Sequence, residues 1–166
     1  MDKQPPYREY AAIMGVFGAG LAAAGGLAGV LGRNPAGQTP LDFVVLSAAS
    51  FKAARTLARD EVTSFLREPF VEGEAHHGGE EAVETGDLRQ AIGELVTCSR
   101  CIGTWVAAAL AGTQLVAPRF GRLLTWSLAA AGANDFLQAT FKALTEKADE
   151  LEERPTPRPV QARTAA

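Results

Sequence analysis

Between Tyr10 and Leu31 the chain carries no charged residue. Wound as an α-helix, that run extends about 33 Å, against a hydrocarbon core of about 30 Å in a bilayer. The run is also rich in glycine, and each glycine costs a helix in water about 1 kcal/mol relative to alanine. We therefore expect a membrane helix. Within it Gly15, Gly18, Ala22, Gly25 and Gly29 recur at alternating spacings of three and four, so they share one helical face, and Gly25 with Gly29 forms a GxxxG pair. Small residues in such a stripe let two helix backbones approach closely in lipid. The face is a candidate contact for a protein partner or a second copy of the chain; the plainer account is an Ala/Gly-rich lipid anchor. The run is longer than the apolar region of a secretory signal, so a retained helix is expected.

The mean hydropathy of +0.02 averages long uncharged runs with strongly charged connectors. A chain of 166 residues suits one domain of four or five helices. A net charge of -3 lacks the basic footprint of a nucleic-acid binder, and nucleic acid is not an expected partner.

After the breaker-rich Arg33, Asn34, Pro35, Gly37 and Pro40, a second helix is expected from about Leu41 to Leu66. Its first half is uncharged, while its second half carries Lys52, Arg55 and Arg59 at helical spacing. Residues 71–86 hold Glu72, Glu74, Glu80, Glu81 and Glu84 among glycines, together with His76 and His77, which reads as a flexible acidic loop. Asp87 followed by Gln90 caps a short interfacial helix through Val96. Ile102 to Val116 and Leu123 to about Leu144 form two further apolar stretches around a turn with Pro118, Arg119, Gly121 and Arg122. The fold class expected is thus all-α: a small membrane bundle of about four hydrophobic helices over residues 10–144, with an N-terminal tail over 1–9. Residues 145–166, charged and proline-containing, read as a disordered tail.

Basic residues gather before the first helix, in the middle loop and after the fourth helix, while Arg33 lies alone in the first connection. The positive-inside tendency then gives a multi-pass protein of the cell membrane with both termini and the middle loop in the cytoplasm.

The stretch ARTLARDEVTSFLR from Ala54 to Arg67, with Arg55, Asp60 and Arg67, and the element TCSRCIGTW, with Cys98, Cys101, Gly103 and Trp105, resemble the bacterial family catalogued as domain of unknown function 1360. The likeness covers roughly Phe43 to Leu144. It implies a small helical membrane protein without an established activity. The chain departs from the family pattern in its acidic insertion with His76 and His77, and in having Phe65 where proline is common.

Cys98 and Cys101 are the candidate chemical centre, because CxxC spacing lets two thiolates converge on one metal or close a short disulfide. Zinc would need four ligands, and His76 and His77 are the candidates to complete the set. Redox exchange is the alternative, although no thioredoxin-like strand context accompanies the motif. The plainer reading is packing: small residues at a helix start, Gly103 for close approach and Trp105 as an interfacial anchor. The girdle of Lys52, Arg55, Arg59, Asp60, Glu61 and Arg67 suits headgroup or partner binding, against snorkelling and intrahelical pairing. Asp135, inside the last apolar stretch, is expected to pair with Lys52 or Arg55, the alternative being a proton path. No nucleophile elbow, phosphate loop or dinucleotide fingerprint occurs. The expected function is a membrane scaffold or accessory protein with a cytoplasmic CxxC loop, the alternative a thiol redox or metal-binding membrane protein.

Overall fold

A computed structural model describes residues 5–73 and 79–152. It is all-α apart from one two-residue strand pair among those residues. The helices are α1 (Tyr7–Val30), α2 (Pro40–Arg59), α3 (Ser64–Arg67), α4 (Leu88–Thr97), α5 (Ser99–Val116) and α6 (Pro118–Glu152). The chain divides into two compact units, Met1–Ala133 and Asn134–Ala166; in the second, the described chain is the helical continuation of α6 to Glu152.

Local chemistry sets the ends of the helices. α1 stops where Gly32 takes φ +63, the left-handed conformation glycine tolerates best. The Gly32 and Arg33 amides then donate back to the carbonyls of Gly29 (3.1 Å) and Ala28 (2.8 Å). This is the paired closure of a Schellman turn, and it fixes where Arg33 leaves the helix. α2 opens with a capping box: the Thr39 hydroxyl accepts from the Asp42 amide at 3.2 Å, and the Asp42 carboxylate accepts from the Thr39 amide at 2.9 Å.

The core lies between α2 and α5, where Ala49 and Ala54 meet Val106 and Leu110; Leu46, Leu57, Ile102, Leu124 and Leu128 pack around them. Alanine and glycine at the crossing bring the backbones together. A Cβ placed on Gly103 would lie 3.6 Å from that of Ala54, and one on Gly112 would lie 3.5 Å from that of Ala24 in α1. The α5–α6 corner is tighter, for a Cβ on Gly121 would fall 2.6 Å from Gln114 backbone atoms. Only a residue without a side chain fits there.

The second helix expected to reach Leu66 ends at Arg59. Asp60 turns extended at φ -76 and ψ 139, Glu61–Thr63 form a 3-10 turn, and α3 follows. The break is stabilised by groups that compete with the helical ladder: the Thr63 hydroxyl donates to the carbonyls of Thr56 at 2.6 Å and Asp60 at 2.9 Å. Within the span read as an acidic loop, β1 (Val71–Glu72) pairs antiparallel with β2 (Glu81–Ala82). Val83 beside them is buried and its amide donates to the Phe70 carbonyl at 3.1 Å. Asp87 caps α4 as expected, accepting from the Arg89 amide at 2.9 Å. α6 begins at Pro118 and runs past Leu144 to Glu152, so part of the segment read as a tail is helical.

Among the described helices, α1 alone is long and apolar enough to cross a membrane; α4 and α5 reach that standard only as a pair, bent by 86°. Charge in α2 (Asp42, Lys52, Arg55) and the polar Asn134, Asp135 and Gln138 inside the apolar stretch of α6 keep those helices below it. By length and composition, the four spans expected from sequence reduce to one clear span.

Candidate functional site

The CxxC element is the corner at which three helices meet α5. Cys98 ends α4 and begins α5, with extended backbone at φ -95 and ψ 103. Its sulfur occupies the position of a helix cap and accepts from the Cys101 amide at 3.3 Å. A helix N-terminus favours negative charge at this position. The Cys101 thiol donating to the Cys98 sulfur holds Cys98 below the usual thiol range, aided by the backbone amides of Cys101 and Arg100. The same bond, with burial, pushes Cys101 up to about 11. Both cysteines are free thiols, Cys101 exposed and Cys98 partly so.

The remaining motif residues face different neighbours. Gly103 turns towards Ala54 of α2. Trp105 packs edge-on against Phe17 of α1, ring centroids 5.1 Å apart. Cys101 also lines a cavity of about 340 Å³ with Tyr10, Met14, Glu94 and Trp105, and the Tyr10 hydroxyl donates to Glu94 across it, joining α1 to α4. The motif therefore caps one helix and packs two others. Sequence spacing contained the cysteines, glycine and tryptophan but held no signal for Tyr10 or Glu94.

Arg67 is the second centre. Its side chain is 1% exposed and its Nε donates to Glu80, itself 8% exposed, at 2.6 Å. Nη1 donates to the Leu57 carbonyl at 2.7 Å and the Thr63 hydroxyl at 2.9 Å, and both terminal nitrogens reach the Asp60 carbonyl at 3.2 Å. A guanidinium so enclosed ties the end of α2 to α3 and to the β1–β2 connection. The charged girdle thus divides. Arg67 is taken up internally, Asp60 serves it through its backbone carbonyl, and Arg55 remains exposed beside Arg100 on a pocket with Ser50 and Gly103. The Arg67 guanidinium is directed to these internal partners.

The thiol pair has the donor chemistry for a soft metal. Among the described residues, however, no cluster of three or more His, Cys, Asp or Glu surrounds it. His76 and His77, the proposed remaining ligands, lie outside the described residues. Asp135 lies on α6 in the second unit.

The family model described as "Protein of unknown function (DUF1360)" matches residues 45–141. A protein of Bacillus subtilis called sporulation protein YjcA is 36% identical over 98 residues, spanning 55% of this chain and 83% of the relative. The UPF0713 protein YngL of the same organism is 29% identical over 103 residues, 59% of this chain and 76% of the relative. No solved structure matches.

Proposed function

The chain belongs to the DUF1360 family, and from that premise we propose that it is a multi-pass membrane scaffold or accessory protein whose first helix receives a further helix. The observation that carries the reading is the open small-residue face of α1. A Cβ added at Gly15, Gly18, Gly25 or Gly29 would meet nothing within 4 Å, while the same helix packs on α5 through Phe17 and Ala24. A helix docked on one side and glycine-smooth on another is suited to a second contact in lipid.

Exposed large apolar side chains support a lipid environment for more than α1. They include Phe43 (69%) and Val44 (61%) on α2, and Leu123 (67%) and Leu137 (69%) on α6. Large apolar side chains exposed on each of these helices suit contact with lipid. In this reading the membrane part of α5 is Ile102–Val116, which leaves Cys98 and Cys101 outside it on the cytoplasmic side. The CxxC loop then packs the bundle and meets a partner. One relative's name brings sporulation to this chain as the process in which to test such a role first.

Membrane fractionation followed by co-purification tests the proposal. The native chain is expected in the membrane fraction with a bound helical partner, either another protein or a second copy. Gly25→Leu with Gly29→Leu is expected to stay in the membrane and lose that partner. Recovery in the soluble fraction overturns the membrane reading, and retention of the partner by the double variant overturns the role of the glycine face.

A second reading, thiol redox or metal binding, is favoured by the helix-capping Cys98 sulfur beside an exposed Cys101. It predicts either stoichiometric zinc or a disulfide that equilibrates with glutathione buffers, each lost in Cys98→Ala.

A further inference from the structure

The groove between α1 and α5 leads from apolar walls into a basic corner. It holds about 550 Å³ and is lined by Phe17, Gly20 and Leu27 on one side and Trp105, Gly112 and Val116 on the other. At its end Val116 and Ala117 also line a space of about 470 Å³ with Arg33 and Arg119. Arg33 and Arg119 in turn border a further pocket of about 520 Å³ that includes Asp42, Gln114 and Arg122. Apolar and cationic surfaces are thus continuous.

The charges at this corner are unevenly matched. Arg122 reaches Asp42 at 3.2 Å, and the other Asp42 oxygen is held by Thr39 at 2.9 Å. Among the described residues Arg33 and Arg119 make no ion pair. The Schellman turn holds Arg33 at the end of α1, while Arg119 occupies the first turn of α6, a helix end that itself favours anions. Two guanidinium forks without a carboxylate among the described residues, at the end of a helix as long as a bilayer core, sit at headgroup depth and match phosphate oxygens.

We propose that this groove binds an anionic phospholipid, with the phosphate at Arg33 and Arg119 and an acyl chain between α1 and α5. The apolar walls favour a lipid over a free phosphate, because a soluble anion would use only the basic corner. The inference rests on the membrane reading above, and it concerns the end of the helices opposite to the CxxC element.

The test is native mass spectrometry of the full chain purified in detergent, titrated with phosphatidylglycerol or with phosphatidylcholine of the same acyl chains. Phosphatidylglycerol is expected to be retained preferentially. An arginine near an anionic lipid surface contributes about fivefold in affinity, so Arg33→Gln with Arg119→Gln is expected to lose roughly 25-fold for phosphatidylglycerol and little for phosphatidylcholine. Lys147→Gln, exposed in the last turns of α6 beside Glu150, is expected to leave the preference intact. Ala109→Phe, placed in the groove wall, is expected to lower retention of both lipids. Equal retention of the two lipids by the native chain overturns the proposal, as does displacement by inorganic phosphate at millimolar concentration. A soluble result in fractionation removes the membrane reading, whereas lost lipid selectivity in a membrane-resident chain removes this inference alone.

Discussion

Arginines occupy both ends of the first unit, and the two ends treat them oppositely. At one end Arg67 is buried, with Glu80, the Thr63 hydroxyl and two main-chain carbonyls around it. At the other, Arg33 and Arg119 are exposed beside a groove and make no ion pair among the described residues. The difference arises from the chain around them. Arg67 follows a broken helix whose free carbonyls converge on one point, and the β1–β2 pair brings Glu80 to the same point. Arg33 follows the Schellman turn at Gly32, and Arg119 stands in the first turn of α6 after the α5–α6 corner. A buried guanidinium with all its neighbours internal holds structure together; an exposed one beside an apolar groove is available to a ligand.

The sharpest way to break this comparison is to remove a charge at each end. Arg67→Met should destabilise the first unit by about 3–5 kcal/mol, because Glu80 and the carbonyls of Leu57 and Asp60 lose a buried partner. Arg33→Gln should change stability by no more than about 0.5 kcal/mol, as exposed substitutions do away from packed features. Denaturant unfolding in detergent, followed by far-ultraviolet circular dichroism, measures both. Equal effects would remove the distinction between the ends.

Glycines sharpen the same contrast at a smaller scale. A Cβ on Gly93 would fall 2.4 Å from the Phe70 carbonyl oxygen and 2.9 Å from the Ala82 Cβ. Gly93→Ala must therefore move α4 off the strand pair, at a cost of about 1–3 kcal/mol. Gly25→Ala meets open space and gains up to about 1 kcal/mol of helix propensity. The same unfolding experiment separates them, and a destabilised Gly25→Ala would mean that the α1 face is packed within the chain.

Much of this architecture was legible in the sequence because it depends on local rules. The uncharged run gave α1, Asp87 gave the start of α4, and the turn at Pro118 gave the α5–α6 corner. The break at Asp60 was not legible, since Val62 and Phe65 continue an apolar period through it. What holds the end of α2 is the Thr63 hydroxyl together with the Arg67 guanidinium, which take the carbonyls of Thr56, Leu57 and Asp60, and periodicity carries no information about such partners. Glu80 was similarly hidden among the acidic residues of its segment. The CxxCxGxW element was visible as a motif, but the direction each residue faces depends on the 86° bend between α4 and α5.

The smallest expected effect concerns the thiols and tests whether Cys98 belongs to the internally satisfied end. Because the Cys101 thiol and the α5 amides stabilise the Cys98 thiolate, iodoacetamide should modify Cys98 at a pH below the usual thiol range. Cys101, pushed up to about 11, should remain slow throughout that interval. The stability linkage follows in sign: Cys98, with its folded pKa lowered, contributes stability above its unfolded pKa and loses it as pH falls through the folded value. Cys101, raised, stays protonated in the folded chain while the unfolded thiol ionises, so its contribution declines as pH rises towards about 11. Cys101→Ala removes the donated bond and should move the Cys98 labelling profile to higher pH, with mass spectrometry of the peptides giving the order. Cys98→Ala should also cost about 0.5–2 kcal/mol as a lost helix cap. If Cys101 reacts first, or if Cys101→Ala leaves the profile unmoved, the sulfur of Cys98 is not held by its neighbour, and the corner is set by Gly103 and Trp105 alone.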